Sequence, residues 1–261
     1  MTIVVVPYHQ DRRLGDDLLP LPLTGEFLVL DPHLPDGDVW ARMAALHDAA
    51  ADQIAAAVRT GEPTTVLSGD CLVAMSVLAG AQRSGADPGV VWLDAHGDVH
   101  TLQTSTSGYL GGLSLRLLLG AHPDLLSGPL GVRPVAEDRA VLAGARDLDP
   151  PEADYLRDSA VRVLGLADLD PAELPDGPLI LHVDLDVVDP ADLPGMLFPA
   201  AGGPPASDVV RAVHRVLGTG RVTVLDIACP WHPAANLGDQ QARIDLLRAL
   251  IRGRSPATDN R

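Results

Sequence analysis

Short apolar and β-branched runs recur along this chain at residues 3–6, 64–67, 90–93, 140–142, 161–164, 179–183 and 222–227. Helical patterns fall between them, at 38–59, 72–82, 113–119, 152–157, 208–217 and 239–250. A strand with one wet face alternates apolar and polar residues, whereas a strand covered on both faces reads as an unbroken apolar run. These runs are mostly of the second kind. The pattern predicts an α/β fold: a single three-layer α/β/α domain with one mostly parallel sheet. A length of 261 residues suits one large domain, placed here at 1–254. The Pro/Gly-rich stretch 190–205 reads as a surface loop, and 255–261 as a disordered tail.

Composition excludes several functions. The net charge is −16 and aromatics make up 3% of the chain, so neither nucleic acid nor an anionic membrane surface is an expected partner. The chain contains no lysine, which removes Schiff-base chemistry and a P-loop. Two cysteines, Cys71 and Cys229, cannot form a disulfide framework. No secretory signal is read, and no run of about 18 apolar residues would span a bilayer. A soluble, cytoplasmic protein with a small-molecule substrate is the expectation.

Ligands of a parallel sheet bind beyond the carboxyl ends of its strands. After the 64–67 run comes Ser68-Gly69-Asp70-Cys71. After 90–93 comes Asp94-Ala95-His96-Gly97-Asp98-Val99-His100. The 179–183 run contains His182 and leads into Asp184-Leu185-Asp186, and 222–227 contains Asp226 and leads into Cys229. On an extended segment the period-2 spacing of Asp94, His96 and Asp98 turns all three to one side, and Asp184 and Asp186 repeat it. Four carboxylates held together repel and raise one another's pKa. Divalent cations remove that conflict. Oxygen ligands with one imidazole suit Mn²⁺ or a similar ion, and two such ions can share bridging carboxylates.

Plainer readings stand beside this one. A lone D-x-D is usually a solvated loop or a helix cap. Cys71 and Cys229 read as small buried hydrophobes. His9, His33, His47, His122 and His214 have no comparable setting. Asp16, Asp17, Asp36 and Asp38 read as ordinary solvated acids.

The two motifs, Asp94-Ala95-His96-Gly97-Asp98 and His182-Val183-Asp184-Leu185-Asp186-Val187-Val188-Asp189-Pro190, resemble those of the ureohydrolase (arginase/agmatinase) superfamily. Arg146-Asp147-Leu148-Asp149-Pro150 and Thr106-Ser107-Gly108-Tyr109 are similar to its substrate loops. The resemblance implies two Mn²⁺ ions and hydrolysis of a guanidinium-type C–N bond. It implies that Asp94 and Asp184 bridge the ions, that Asp98 serves one, and that His96 and Asp186 serve the other. Asp98 would take the proton of the attacking water. Ser107 and Asp149 would bind a substrate's carboxylate and amino group. A homo-oligomer is implied on the same ground.

The chain departs from that superfamily at three places. Cys71 stands where a histidine usually completes the first metal site, and a softer ligand makes that site weak, empty or selective for another metal. Gly111 stands where a proton-shuttling histidine is usual, so His100 or a water would substitute. Cys229 stands where a glutamate usually meets the guanidinium, which removes a charge-assisted contact. The first two departures, with Tyr109-Leu110-Gly111-Gly112, are similar to the superfamily's hydroxyarginine hydrolases. Three readings follow: a metal-dependent amidinohydrolase of an arginine-like or hydroxyarginine-like substrate, a hydrolase of an amide or formimino compound, and a non-catalytic family relic that binds metal.

Overall fold

The computed structural model describes residues 1–15, 18–19 and 26–252. Its strands are β1 (Thr2–Val6), β2 (Tyr8–His9), β3 (Arg12–Arg13), β4 (Glu26–Val29), β5 (Thr64–Ser68), β6 (Gly89–Leu93), β7 (Ala140–Ala143), β8 (Arg162–Leu164), β9 (Leu179–Asp184) and β10 (Val222–Ala228). Its helices are α1 (Val39–Arg59), α2 (Ala74–Arg83), α3 (Ser114–Leu118), α4 (Ser127–Leu130), α5 (Pro150–Asp158), α6 (Ala206–Leu217) and α7 (Leu237–Arg252). Eight strands form one sheet in the order β4-β1-β5-β10-β9-β6-β7-β8. Every pairing within it is parallel, so all its carboxyl ends meet at one edge. The short strands β2 and β3 form a separate antiparallel pair.

Alternate residues of each strand enter opposite cores. Val4, Val66, Trp92 and Ile180 pack with Met43, Leu46 and Ile54 of α1 and Leu78 of α2. Ile3, Leu67, Val91 and Val183 pack with Val209 and Val213 of α6 and Leu247 and Leu250 of α7. Both faces are therefore covered, which is why the strands read as unbroken apolar runs. Each Val or Leu so buried contributes about 1.5–3 kcal/mol.

Local chemistry sets the boundaries. Asp38 caps α1, its carboxylate accepting from the Ala41 N–H at 2.9 Å. Gly80 lets α2 lie close against α1, because a Cβ there would stand 2.7 Å from Ile54. The helix expected over 72–82 starts instead with a 3-10 turn, Cys71–Val73, which Asp70 caps by accepting from the Leu72 N–H at 2.8 Å. The 190–205 stretch is a loop, as expected. Arg146 secures it with a guanidinium that donates to the carbonyls of Gly144, Asp186, Val187, Ala200 and Ala201. Among the described residues no helix is long and apolar enough to cross a membrane. The expectations for Asp16, Asp17 and the 255–261 tail fall outside the described residues.

Candidate metal centre

Four neighbouring strands, β5, β10, β9 and β6, bring their carboxyl ends together. Cys71, Asp94 and Asp98 each offer a ligand atom within 4.8 Å of the others, and so do Asp94, His96 and Asp186. Asp94 belongs to both groups. Asp184 lies against the first, with Cys71 Sγ donating to its Oδ2 at 2.7 Å. The convergence is not that of an extended segment, as the spacing had suggested. β6 stops at Leu93, and the Asp94 carboxylate accepts from the His96 N–H at 2.7 Å. Asp184 likewise accepts from the Asp186 N–H at 2.9 Å and caps a 3-10 turn, Leu185–Val187. Each acid thus folds the backbone that follows it, and Asp98 takes a left-handed φ of 52°.

The acids are buried, and their charges are in conflict. Burial and the neighbouring carboxylates push Asp98 and Asp184 well above the usual range, and Asp186 is raised to about 6. Burial also pushes Asp94 up, but hydrogen bonds and charge from His96, with the Trp92 N–H, outweigh it and leave that carboxyl low. His96 is raised to about 12 against its own desolvation, because Asp186 and Asp94 hold its proton. Its Nδ1 is 3.1 Å from Asp186 and 3.4 Å from Asp94. Burial, then Asp184, Asp98 and Asp94, hold the Cys71 thiol uncharged. The Asp98 Oδ2 is buried with no hydrogen-bond partner among the described residues. An unpartnered carboxylate oxygen amid mutually repelling acids fits hard divalent cations, with Cys71 as the one soft donor.

These groups open into a cavity of about 260 Å³. Asp98, His100, Ser107 and Asp149 line it with Cys71, His96, Asp184 and Asp186. His100 Nε2 is 3.1 Å from Asp149 and 3.8 Å from Glu152, and its Nδ1 is 3.1 Å from Thr104. Its partners therefore lie at the Asp149 side of the cavity. Asp149 is 58% exposed there. Ser107 is exposed, and its hydroxyl accepts from the Tyr109 N–H at 3.2 Å.

Cys229 does not line this cavity. It is buried in the core on the α6 and α7 side, and Pro230 takes the place at the wall. Alternation along β10 accounts for this. Ala228 shares the face of Val224, which leaves Cys229 to the opposite face with Ile227 and Leu225.

Tyr109 explains Gly111. A Cβ at Gly111 would stand 2.5 Å from the Cζ and hydroxyl oxygen of Tyr109. The tyrosine ring lies 4.5 Å from Phe198 and 5.6 Å from His9, and its hydroxyl donates to Asp70 at 3.4 Å. It occupies the room that a side chain at 111 would need. Gly111→Ala is expected to cost about 1–3 kcal/mol by overpacking. The same change in a Tyr109→Ala background is expected to cost little, which denaturant unfolding of the four proteins would measure.

Several residues of the site were missed in the sequence. Glu152 lines the cavity, and it was legible as the far end of a capping box opened by Asp149. Asp147 lines it too and was quoted only as part of a motif. Phe198 comes from the Pro/Gly-rich loop, where nothing in the spacing marks it.

The fold and site together define a parallel α/β scaffold with an acid cluster at its strand ends. A family model described as "Arginase family" matches residues 31–230. The chain is 29% identical over 235 residues to an arginase of Bacillus subtilis (strain 168), covering 82% of this chain and 78% of that one. It is 33% identical over 208 residues to an N-omega-hydroxy-L-arginine amidinohydrolase of Streptomyces lavendulae, covering 77% and 71%. The crystal structure of an arginase from Bacillus cereus matches with a TM-score of 0.80 at 25% identity, over 95% of this chain and 97% of that one. The chain belongs to the arginase family, within the ureohydrolase superfamily.

Proposed function

We propose that this chain is an amidinohydrolase that holds two divalent cations, Mn²⁺ by family resemblance, and hydrolyses an arginine-like substrate, with N-omega-hydroxyarginine preferred over arginine. The observation that carries the reading is the pair of ligand groups sharing Asp94, whose other members Cys71, Asp98, His96 and Asp186 line the cavity. Cys71, Asp94, Asp98 and Asp184 would hold one ion, and Asp94, His96, Asp184 and Asp186 the other. Cations bound in such a site supply Lewis acidity and lower the pKa of water. Asp98, whose Oδ2 has no hydrogen-bond partner among the described residues, would take the proton that the attacking water gives up. Water adds to the guanidine carbon, the bond from that carbon to the chain nitrogen breaks, and an amine and a urea-type product leave.

Asp149 and Ser107 would hold the amino-acid end of the substrate, with His100 orienting Asp149 through their 3.1 Å contact. That position supports recognition rather than the proton-shuttle role expected of His100. The preference for a hydroxyguanidine rests on three features: the uncharged Cys71, the tyrosine packed over Gly111, and Pro230 rather than a carboxylate at the cavity wall beyond β10. A hydroxyguanidine is less basic than a guanidine, so it needs neither the carboxylate nor a strong shuttle. The Streptomyces lavendulae relative, named for that substrate, supports the same direction. The test is turnover of both compounds by Mn²⁺-loaded protein. The expected result is a kcat/KM for hydroxyarginine at least about 10-fold above that for arginine, a difference of about 1.4 kcal/mol. Equal or better use of arginine would sink the preference.

A further inference from the structure

Immediately below the ligand row lies a second row of side chains that the chemistry above does not use. Asp226 of β10, His182 of β9 and Trp92 of β6 are register partners across three adjacent strands. Two residues further along the chain from each come Ala228, Asp184 and, just past the end of β6, Asp94, so the row forms a floor one step beneath the acids. All three floor residues are 0% exposed. His182 Nδ1 is 2.7 Å from Asp226 Oδ2, and the imidazole stacks on the Trp92 indole with centroids 3.6 Å apart. Trp92 Nε1 then donates to Asp94 Oδ2 at 2.9 Å, while Asp94 Oδ1 accepts from the His96 N–H.

As core packing alone, this row is a poor choice. His182 Nε2 and Asp226 Oδ1 are buried without hydrogen-bond partners among the described residues, and each such atom costs stability that an apolar pair would keep. What the row does achieve is a fixed indole. An indole N–H can donate and cannot accept, so it holds one oxygen of the carboxyl group above it as an acceptor. Asp94 is the carboxylate common to both ligand groups. A shared ligand must keep its lone pairs aimed in two directions, and outer hydrogen bonds are what hold such a ligand in place.

We propose that Trp92 is a positioning residue for the metal centre: the buried His182–Asp226 pair fixes its indole, and the indole N–H orients Asp94 toward both ions. This rests on the metal reading above. The first test is Mn²⁺ affinity by calorimetry for the unmodified protein and Trp92→Phe, which keeps an aromatic ring and loses the N–H. Affinity is expected to fall about 10–100-fold. Unchanged affinity in a folded variant overturns the proposal. The second test needs no variant to bind metal. Indole N–H signals of the ¹⁵N-labelled unmodified protein are followed during titration with diamagnetic Zn²⁺, with the Trp92 signal assigned by its loss in Trp92→Phe or, should that variant not fold, by Trp40→Phe and Trp231→Phe. The Trp92 signal is expected to start downfield, as a donor to a carboxylate, and to shift more than that of Trp40. An indole signal that stays in place while Zn²⁺ binds overturns the proposal. An unmodified protein that binds neither ion overturns the metal reading and this inference together, and is told apart by having no affinity to lose.

Discussion

Asp94→Asn is expected to weaken binding of both cations by more than the 10–100-fold that loss of an outer-sphere partner costs, and to abolish measurable turnover. Among the described residues the two ligand groups share Asp94, and of the other acids only Asp184 is assigned to both ions. The single amide oxygen can accept from only one of the Trp92 and His96 N–H groups, because these reach different oxygens of the acid, so the fold is checked separately from the loss of charge. Elemental analysis after Mn²⁺ loading and desalting gives the stoichiometry, and thermal unfolding checks the fold. Two ions retained by the variant would refute the shared ligation.

The second large effect is on stability, and its sign depends on pH. In the metal-free protein the folded state keeps Asp98, Asp184 and Asp186 protonated above their unfolded pKa, with Asp186 raised to about 6. Their contribution is complete below the unfolded value near 4 and is lost as pH rises through the folded values. His96, raised to about 12, contributes fully below its unfolded value near 6.5 and loses that contribution as pH rises further. The low pKa of Asp94 acts in the opposite sense, adding stability above the unfolded carboxylate value. The raised groups outnumber it, so the metal-free protein should lose melting temperature between pH 5 and pH 8. Cations reverse this, because the ligands must shed protons to bind them. At a free concentration of about 100 times Kd, one ion adds about 2.7 kcal/mol. For a domain of this size that raises Tm by about 5–10 °C. Calorimetry at pH 5 and pH 8, with and without Mn²⁺, should therefore show a metal-induced rise that is larger at pH 8. A rise that is larger at pH 5 would contradict the assignment of these acids as ligands.

The sheet was legible because strands covered on both sides leave no choice of residue: 90–93 and 179–183 are apolar at every position but His182. Their acids were legible because each directly follows such a run. The β4 edge strand was not, since four residues, Glu26–Val29, carry too little pattern to separate from a loop. The β2–β3 hairpin, with two residues in each strand, carries less still. The facing of Cys229 turned on where β10 ends relative to its pleat, and one position along a strand reverses the side chain. The bond from Trp92 to Asp94 spans two residues and was open to a reader of period-2 spacing. The partnership of His182 with Asp226 was not, because it depends on β9 and β10 being neighbours, which only the strand order decides.

The cluster and the recognition residues come from different kinds of backbone. Asp94 and Asp184 stand at strand tips locked into a sheet covered on both sides, whereas Ser107, Asp149 and Phe198 stand on loops or at a helix cap around the rim. Mutational libraries confined to 100–110, 147–149 and 196–200 would therefore sample new substrate shapes while leaving the hydrolytic floor untouched. In directed evolution the two halves of this site can be varied as separate inheritances.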